Sequence, residues 1–317
     1  MYTKWMVVLA AVALFSGACA LPKPGGNDIQ DESKPCLTFR QKLHWPWSQA
    51  DCSNQSKAEV SQKSPEKGPV AVTIEPSKPE KVEDLRPVNE RFPSAVRFNT
   101  CGGTIISPTW IITGAHCTLG WGRFIVAGTN NTADGSGVKR YVKRKVIHPL
   151  FTVGPYWLDA DDYNIKQVAA RWDFLLVELR EPLPLDGKTM VAAKLDDQPS
   201  LPEGLNVGFA GYGTDHFGGY MTDKMHVMEL AVQSNDVCKS ALEQYNPQDM
   251  LCTKGRPPRF DSGCNGDSGS GLVDETNRLV GVLSWGENDA HSCAKRALVI
   301  FGRVSSVRDW IRQVTNV

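Results

Sequence analysis

The 317-residue chain carries 35 basic and 35 acidic side chains, so its formal charge is zero and composition gives no electrostatic case for a nucleic-acid partner. Its length fits two domains, or one large domain with an appendage. Nine cysteines favour an oxidising destination over the cytosol.

The chain opens with Lys4, an apolar stretch from Trp5 to Phe15, and Ser16-Gly17-Ala18-Cys19-Ala20. That is the layout of a secretory signal peptide cut after Ala20, and the apolar stretch is too short for a membrane span. A lipid anchor on Cys19 is the rival, and the residues before it fit a lipoprotein signal poorly. The chain is therefore read as secreted, with no membrane association. Loss of Cys19 with the leader leaves an even set of cysteines, as expected of a disulfide-bonded exported protein. Residues 21–81 read as a pro-segment. Within it Cys36 and Cys52 flank Leu37, Phe39, Leu43, Trp45 and Trp47, a stretch that needs a staple to hold together. Ser53–Asp84 is rich in Lys, Glu, Ser and Pro and reads as a flexible linker.

From Arg91 the pattern changes to short apolar runs separated by Gly, Pro, Asn and Asp. Examples are Ser94–Phe98, Thr104–Ile106, Trp110–Thr113, Arg123–Ala127, Lys139–Ile147, Phe174–Leu179, Leu205–Ala210, Lys224–Val232, Gly271–Val273 and Leu279–Ser284. This predicts an all-β sandwich or barrel. Val307, Trp310, Ile311 and Val314 fall at i, i+3, i+4 and i+7, predicting a terminal amphipathic helix capped by Ser305 or Ser306. The basic run Lys139–Lys145 reads as the solvated face of a strand, with a polyanion patch as the less favoured alternative. Trp157–Asp162 reads as an insertion beside a cleft or an idle loop. Asn54 and Asn130 open N-glycosylation sequons.

Chemistry concentrates in Cys264-Asn265-Gly266-Asp267-Ser268-Gly269-Ser270-Gly271. A serine hydroxyl is a weak nucleophile and needs a base beside it and donors for the oxyanion. Upstream, the apolar run Trp110–Thr113 leads through Gly114-Ala115 to His116-Cys117, and Asp173 opens the apolar run that follows Trp172. Each residue has a plainer reading, as a turn serine, a packed histidine or a capping aspartate. The three flanking patterns together, in the order His116, Asp173, Ser268, point to a catalytic triad. No cysteine or histidine spacing fits a zinc site, so neither metal nor cofactor is expected.

These motifs, with Cys101-Gly102-Gly103-Thr104-Ile105-Ile106, Ile147-His148-Pro149, Gly211-Tyr212-Gly213 and Ser284-Trp285-Gly286, resemble the chymotrypsin family of serine proteases over Val82–Val317. The resemblance implies two six-stranded antiparallel β-barrels with the triad at their interface. It also implies disulfides Cys101–Cys117, Cys238–Cys252 and Cys264–Cys293, which leaves Cys36 with Cys52. The N–H groups of Gly266 and Ser268 would form the oxyanion hole. Asp267 would pair with a freed amino terminus, the mark of a zymogen. No Arg or Lys followed by Ile-Val-Gly-Gly occurs; counting back from Arg91–Phe98 puts cleavage after Lys81, exposing Val82 ahead of Glu83 and Asp84. Substrate would lie against Ser262, Ser284, Trp285, Gly286 and Val299. Ser262 stands where a trypsin-like enzyme has Asp, and valine stands for a wall glycine, so an elastase- or chymotrypsin-like preference is expected. The implied partners are protein or peptide substrates, an activating protease and a protein inhibitor, acting on a monomer. The alternative is a catalytically silent binding protein on a protease fold.

Overall fold

In the computed structural model the chain is described over residues 84–317, excepting 120–121, 154–157, 160–163, 166–168, 215, 217–218, 287–292 and 294. The signal peptide, Cys36, Cys52 and Val82 lie outside the described residues. After a single-turn helix α1 (Val88–Arg91), the first barrel is built from β1 (Ala95–Phe98), β2 (Cys101–Ser107), β3 (Trp110–Thr113), β4 (Phe124–Ala127), β5 (Val138–Ile147) and β10 (Leu175–Leu179). It closes in the order β1-β2-β3-β10-β5-β4. Between β5 and β10 lie two small ladders, β6 (Thr152–Val153) with β9 (Ala170–Arg171), and β7 (Leu158–Asp159) with β8 (Asn164–Ile165).

The second sheet comprises β11 (Lys194–Leu195), β12 (Asn206–Gly211), β13 (His226–Val232), β14 (Met250–Gly255), β15 (Gly271–Asp274), β16 (Arg278–Gly286) and β17 (Leu298–Arg303). Pairing of β16 with β17 closes six of these strands into a second barrel. β11 is an added strand that pairs in parallel with the first two residues of β16, Arg278 and Leu279. Helix α2 (Asn235–Ala241) is capped by the Ser234 side chain and joined to β14 by Cys238–Cys252.

The expected all-β architecture of two six-stranded barrels is the one observed, and the burial pattern explains its sequence. Side chains alternate across a strand. On β10, Leu175, Val177 and Leu179 fill the first barrel, while Leu176, with Phe174 just before the strand, enters a second cluster. That second cluster also takes Ile106, Trp110, Ile112, Val273, Leu279, Val282, Val304, Val307 and Ile311, residues from both barrels and the C-terminal segment. Strands bordering this seam are apolar on both faces, so their sequences run as Ile-Ile and Phe-Leu-Leu-Val without polar alternation. Each such side chain contributes roughly 1.5–3 kcal/mol by leaving water. β5 has one face toward solvent and alternates accordingly. Its basic run is a strand face with partners: Lys143 and Arg144 both pair with Glu178, and Lys139 lies 3.7 Å over the Phe124 ring.

The terminal helix α3 (Arg308–Thr315) buries Ile311 and Thr315, and Val307 is buried just before it. The expected serine cap is not found. A 3₁₀ turn, Val304–Val307, precedes α3, and Val307 occupies the cap position without a side-chain hydrogen bond. Both serines are turned backwards instead. The Ser306 hydroxyl donates to the Arg303 carbonyl at 2.6 Å, and Ser305 accepts from Arg303 Nε at 3.0 Å.

Candidate active site

His116 sits on the 3₁₀ turn Ala115–Leu119 that ends β3. Gly114 precedes it closely because a Cβ there would lie 2.9 Å from the imidazole. The turn is fastened to β2 by the disulfide Cys101–Cys117. Asp173 is buried at the entrance of β10. Its Oδ2 lies 2.6 Å from His116 Nδ1, and its Oδ1 accepts the His116 backbone N–H at 3.0 Å. The Ser284 hydroxyl, from β16 in the other barrel, donates to Oδ2 at 2.5 Å.

Burial alone would raise the Asp173 carboxyl above the usual range. The His116 charge and the hydrogen bonds from His116 and Ser284 outweigh that and hold it below. Burial likewise pulls the His116 imidazole down, and the Asp173 charge and hydrogen bond carry it above an ordinary histidine. An ionised carboxylate only accepts, so Nδ1 must carry the proton and Nε2 presents the lone pair.

Ser268 lies in a turn between β14 and β15, joined to the first barrel by the Gly102 N–H, which donates to the Ser268 carbonyl at 2.8 Å. Gly266 and Gly269 have φ of +97° and +76°, a region natural to glycine and strained for other residues. At Gly269 space is also missing, since a Cβ would meet Thr113 Oγ1 at 2.1 Å and Gly114 N at 3.0 Å. The residue after Ser268 is thus pressed against the segment that leads into His116.

Asp267 is fully buried. Its Oδ1 accepts from the Gly213 N–H at 3.0 Å and lies 3.2 Å from His226 Nε2, and its Oδ2 accepts from the Cys264 N–H at 3.0 Å. Gly211 and Gly213 make room for this carboxylate, since a Cβ on either would come within 2.0 Å or 2.6 Å of it.

Of the expected substrate-contacting residues, Ser284 has its hydroxyl committed to Asp173. Trp285 is 8% exposed and packs in a cluster with Ala169 and Leu298. Gly286 pairs with Val299 across β16 and β17. Val299 is buried in the core of the second barrel with Phe209, Leu283 and Phe301. It adjoins Gly263, where an added Cβ would lie 3.7 Å from its Cγ1. Ser262 is half-buried beside Gly263. Its neighbour Asp261 faces β13, accepting the Glu229 N–H at 2.9 Å and pairing with Arg259 at 3.1 Å. Cys264 is joined to Cys293. Among the described residues, the group of side chains close enough to share a metal ion is Cys101, His116 and Cys117, and its two sulfurs are already bonded to each other.

Two further residues touch this site and were not singled out from sequence, His226 and Asp249, while Ser284, expected against substrate, gives its hydroxyl to Asp173 instead. Asp249, fully buried before β14, accepts Arg171 Nε at 2.7 Å and 2.9 Å and the Trp172 N–H at 2.8 Å. It thereby holds Trp172, with φ of +52°, directly ahead of Asp173. The Trp172 ring stacks on His148 at 5.3 Å, and Trp310 of α3 meets the same imidazole edge-on at 4.8 Å.

Residues 86–311 match the family model described as Trypsin. The chain is 62% identical over the full length of both proteins to Scolexin B of Heliothis virescens. It is 32% identical to Trypsin zeta of Drosophila erecta, over 68% of this chain and 73% of that protein. It is 28% identical to Chymotrypsin-like elastase family member 1 of Homo sapiens, over 69% and 82%. Among solved structures, mouse neuropsin, a serine protease, superposes with a TM-score of 0.58 at 19% identity, covering 71% of this chain and 96% of that one, a likeness of fold.

Proposed function

Because the chain belongs to the trypsin family of serine proteases, we propose that Ser268 is its nucleophile, His116 the base and Asp173 the residue that fixes the imidazole. The observation that carries this reading is the buried Asp173 carboxylate on His116 Nδ1 at 2.6 Å. It selects the tautomer in which Nε2 can take the Ser268 proton as Oγ attacks a peptide carbonyl. Asp173 then stabilises the imidazolium, and His116 returns the proton to the leaving amine. Water repeats the sequence on the acyl-enzyme.

The developing oxyanion needs donors that are not otherwise used. Asp267 N–H donates to the Cys264 carbonyl, Gly269 N–H to Leu283, and Ser270 N–H to Asp267. The family resemblance gives Gly266 and Ser268 as the oxyanion donors, whose N–H groups are not among those so engaged, and each would be worth about 3 kcal/mol in the transition state. For specificity, Ser262 offers no charge, and Asp261 is committed to Glu229 and Arg259. Val299 adds bulk beside Gly263. A small or medium apolar residue before the cut is expected, elastase- or chymotrypsin-like. Faster cleavage after Arg than after Ala, Val or Leu in a peptide library would overturn this preference.

The protein is further proposed to be secreted through a signal peptide at 1–20, with a pro-segment over 21–81 and the protease domain over 82–317. Cleavage after Lys81 by an activating protease would deliver the Val82 amine to Asp267 and release the pro-segment. The product would act on protein substrates as a monomer, open to a protein inhibitor. Fluorophosphonate labelling of the full secreted chain before and after limited cleavage, with Ser268→Ala as control, tests the reading. Labelling that strengthens on cleavage and is absent from the variant is the expected result. No labelling in any form would leave a silent binding protein on a protease fold.

A further inference from the structure

The net charge of the whole chain is zero, yet positive charge gathers where three neighbouring segments of the first barrel meet. Arg123 leads into β4, Lys139 and Arg140 lie on β5, and Arg180 follows β10. The Val142 N–H donates to the Arg123 carbonyl at 2.8 Å, and the Arg180 N–H donates to the Tyr141 carbonyl at 2.9 Å. The three segments therefore run side by side, within about 10 Å across the strands. Arg123, Lys139 and Arg180 are exposed and Arg140 is half-buried. The same segments carry one carboxylate, Glu181.

The groups that hold these cations in place are uncharged. Arg140 donates through Nε to the Pro182 carbonyl at 2.9 Å and through Nη1 to the Lys139 carbonyl at 2.9 Å. Arg180 donates through Nε to the Val142 carbonyl at 3.2 Å. Lys139 Nζ lies 3.7 Å over the Phe124 ring and 5.3 Å from the centre of the Tyr141 ring. Further along β5, Lys143 and Arg144 share Glu178; among the described residues, none of the four cations has such a partner. A salt bridge cancels a cation's field, whereas a carbonyl or a ring fixes its position and leaves the field in place. A guanidinium held through Nε also keeps Nη donors for an oxyanion. Phe124 and Tyr141, opposite each other on β4 and β5, are 37% and 53% exposed, with their rings edge to face at 6.3 Å.

We propose that this surface, Arg123, Lys139, Arg140 and Arg180 around Phe124 and Tyr141, is a docking site for a sulfated polysaccharide. The cations supply the charge complement of a row of sulfates. The two exposed rings offer apolar faces to the C–H surfaces of the sugars between them. Both rings lie along a strand pair and do not project from a loop tip, which suits a linear chain laid across the sheet better than a membrane entered from above. The proposal rests on the reading of the chain as exported, which makes a sulfated glycan, and not a nucleic acid, the polyanion it meets. It does not depend on the triad. Arg180 stands seven residues beyond Asp173, roughly 20 Å along the strand, so an occupied site leaves the catalytic histidine and aspartate uncovered and holds the protein on the polymer.

The test is binding of the full secreted chain to immobilised heparin over a series of salt concentrations. Lys139→Gln together with Arg180→Gln should weaken binding about 25-fold at low salt, about fivefold for each cation that faces an anionic surface. The slope of log affinity against log salt should flatten by about two units. Lys239→Gln together with Lys254→Gln removes the same charge from exposed positions on α2 and β14 and should leave affinity within about twofold of wild type, since exposed charges beyond a Debye length are screened. Equal losses in the two pairs, or no loss in the first, overturn the proposal. Duplex DNA, or vesicles containing phosphatidylserine, binding as tightly as heparin through Lys139 and Arg180 would overturn the sulfated polysaccharide as partner. Should the first pair fail to fold by circular dichroism, Lys139→Gln alone, with its fivefold loss, decides. A chain that enters the medium but does not bind heparin fails this inference alone. One that stays in the cell with residues 1–20 attached fails the export reading and, with it, the choice of partner.

Discussion

Asp249→Ala removes a carboxylate that ties the second barrel to the residues immediately ahead of Asp173. Three contacts go at once: Arg171 Nε at 2.7 Å, Arg171 Nη2 at 2.6 Å and the Trp172 N–H at 2.8 Å. Deleting one member of a fully buried pair costs about 3–5 kcal/mol. Arg171 keeps 30% of its side-chain surface and rehydrates in part, which places the loss at the lower end, about 3 kcal/mol. Trp172 partly offsets this. A non-glycine residue in the left-handed region stores about 1–2 kcal/mol, which is released once its N–H is no longer held. The net expectation is about 2 kcal/mol, read as a shift in urea midpoint at constant slope. Relaxation of Trp172 moves Asp173 away from His116, so kcat should fall along with stability. Asp249→Asn keeps an acceptor for the Trp172 N–H and should lose stability with kcat close to wild type. Equal kcat in the alanine variant and the wild type, or equal losses in the two variants, would refute the idea that Asp249 sets the Asp173 backbone.

Other expectations concern the triad itself. For proton acceptance His116 must be neutral; its pKa is raised above 6.5, so the acid limb of kcat/KM should lie above that of an ordinary histidine. Asp173→Asn removes the two raising influences and leaves burial, so kcat should drop by about 10⁴ and the residual acid limb should move to lower pH. A limb that stays put contradicts the assigned coupling. Ser284→Ala deletes a 2.5 Å donor to the buried carboxylate, a loss of about 1.5–3 kcal/mol visible in thermal unfolding and as a lower kcat; unchanged values in both would show the hydroxyl is idle. Gly269→Ala places a methyl 2.1 Å from Thr113 Oγ1 at positive φ. It should yield a chain that fails to label with fluorophosphonate, and full labelling would show that this turn is looser than described.

Much of the architecture is legible because both chain periods and motifs carry it. Continuous apolar runs such as Phe174–Val177 mark strands buried on both faces, and the alternation of β5 marks one that is not. His116 and Asp173 could be picked out from their flanking residues, and the structure brings them within hydrogen-bond distance. Residues that act through contacts remote in sequence were not legible. Asp249 sits in Pro247-Gln248-Asp249, which reads as a turn, and its partners lie 77 and 78 residues earlier. His226 occupies a strand position that suits an outward-facing polar residue. The Ser284 hydroxyl was read as part of a substrate wall, and nothing local indicates that Asp173 is its acceptor. For α3, serine propensity pointed to a cap, but a 3₁₀ turn gave the hydroxyls a nearer acceptor in Arg303. Trp172 in the left-handed region is the least expected of all, because bulk disfavours it and only a distant carboxylate compensates.

The His148 stack has a spectroscopic consequence. Its imidazole touches two indoles at once, Trp172 beside the catalytic carboxylate and Trp310 on the last helix. Protonated imidazole quenches neighbouring indole emission, whereas the neutral ring does so weakly. Burial lowers the His148 pKa, against the opposing field of Asp249, so the dimming on acidification should come below the usual histidine range. Loss of Asp249 would carry it lower still. The seam between the barrels thereby reports its own integrity as light, without substrate or label.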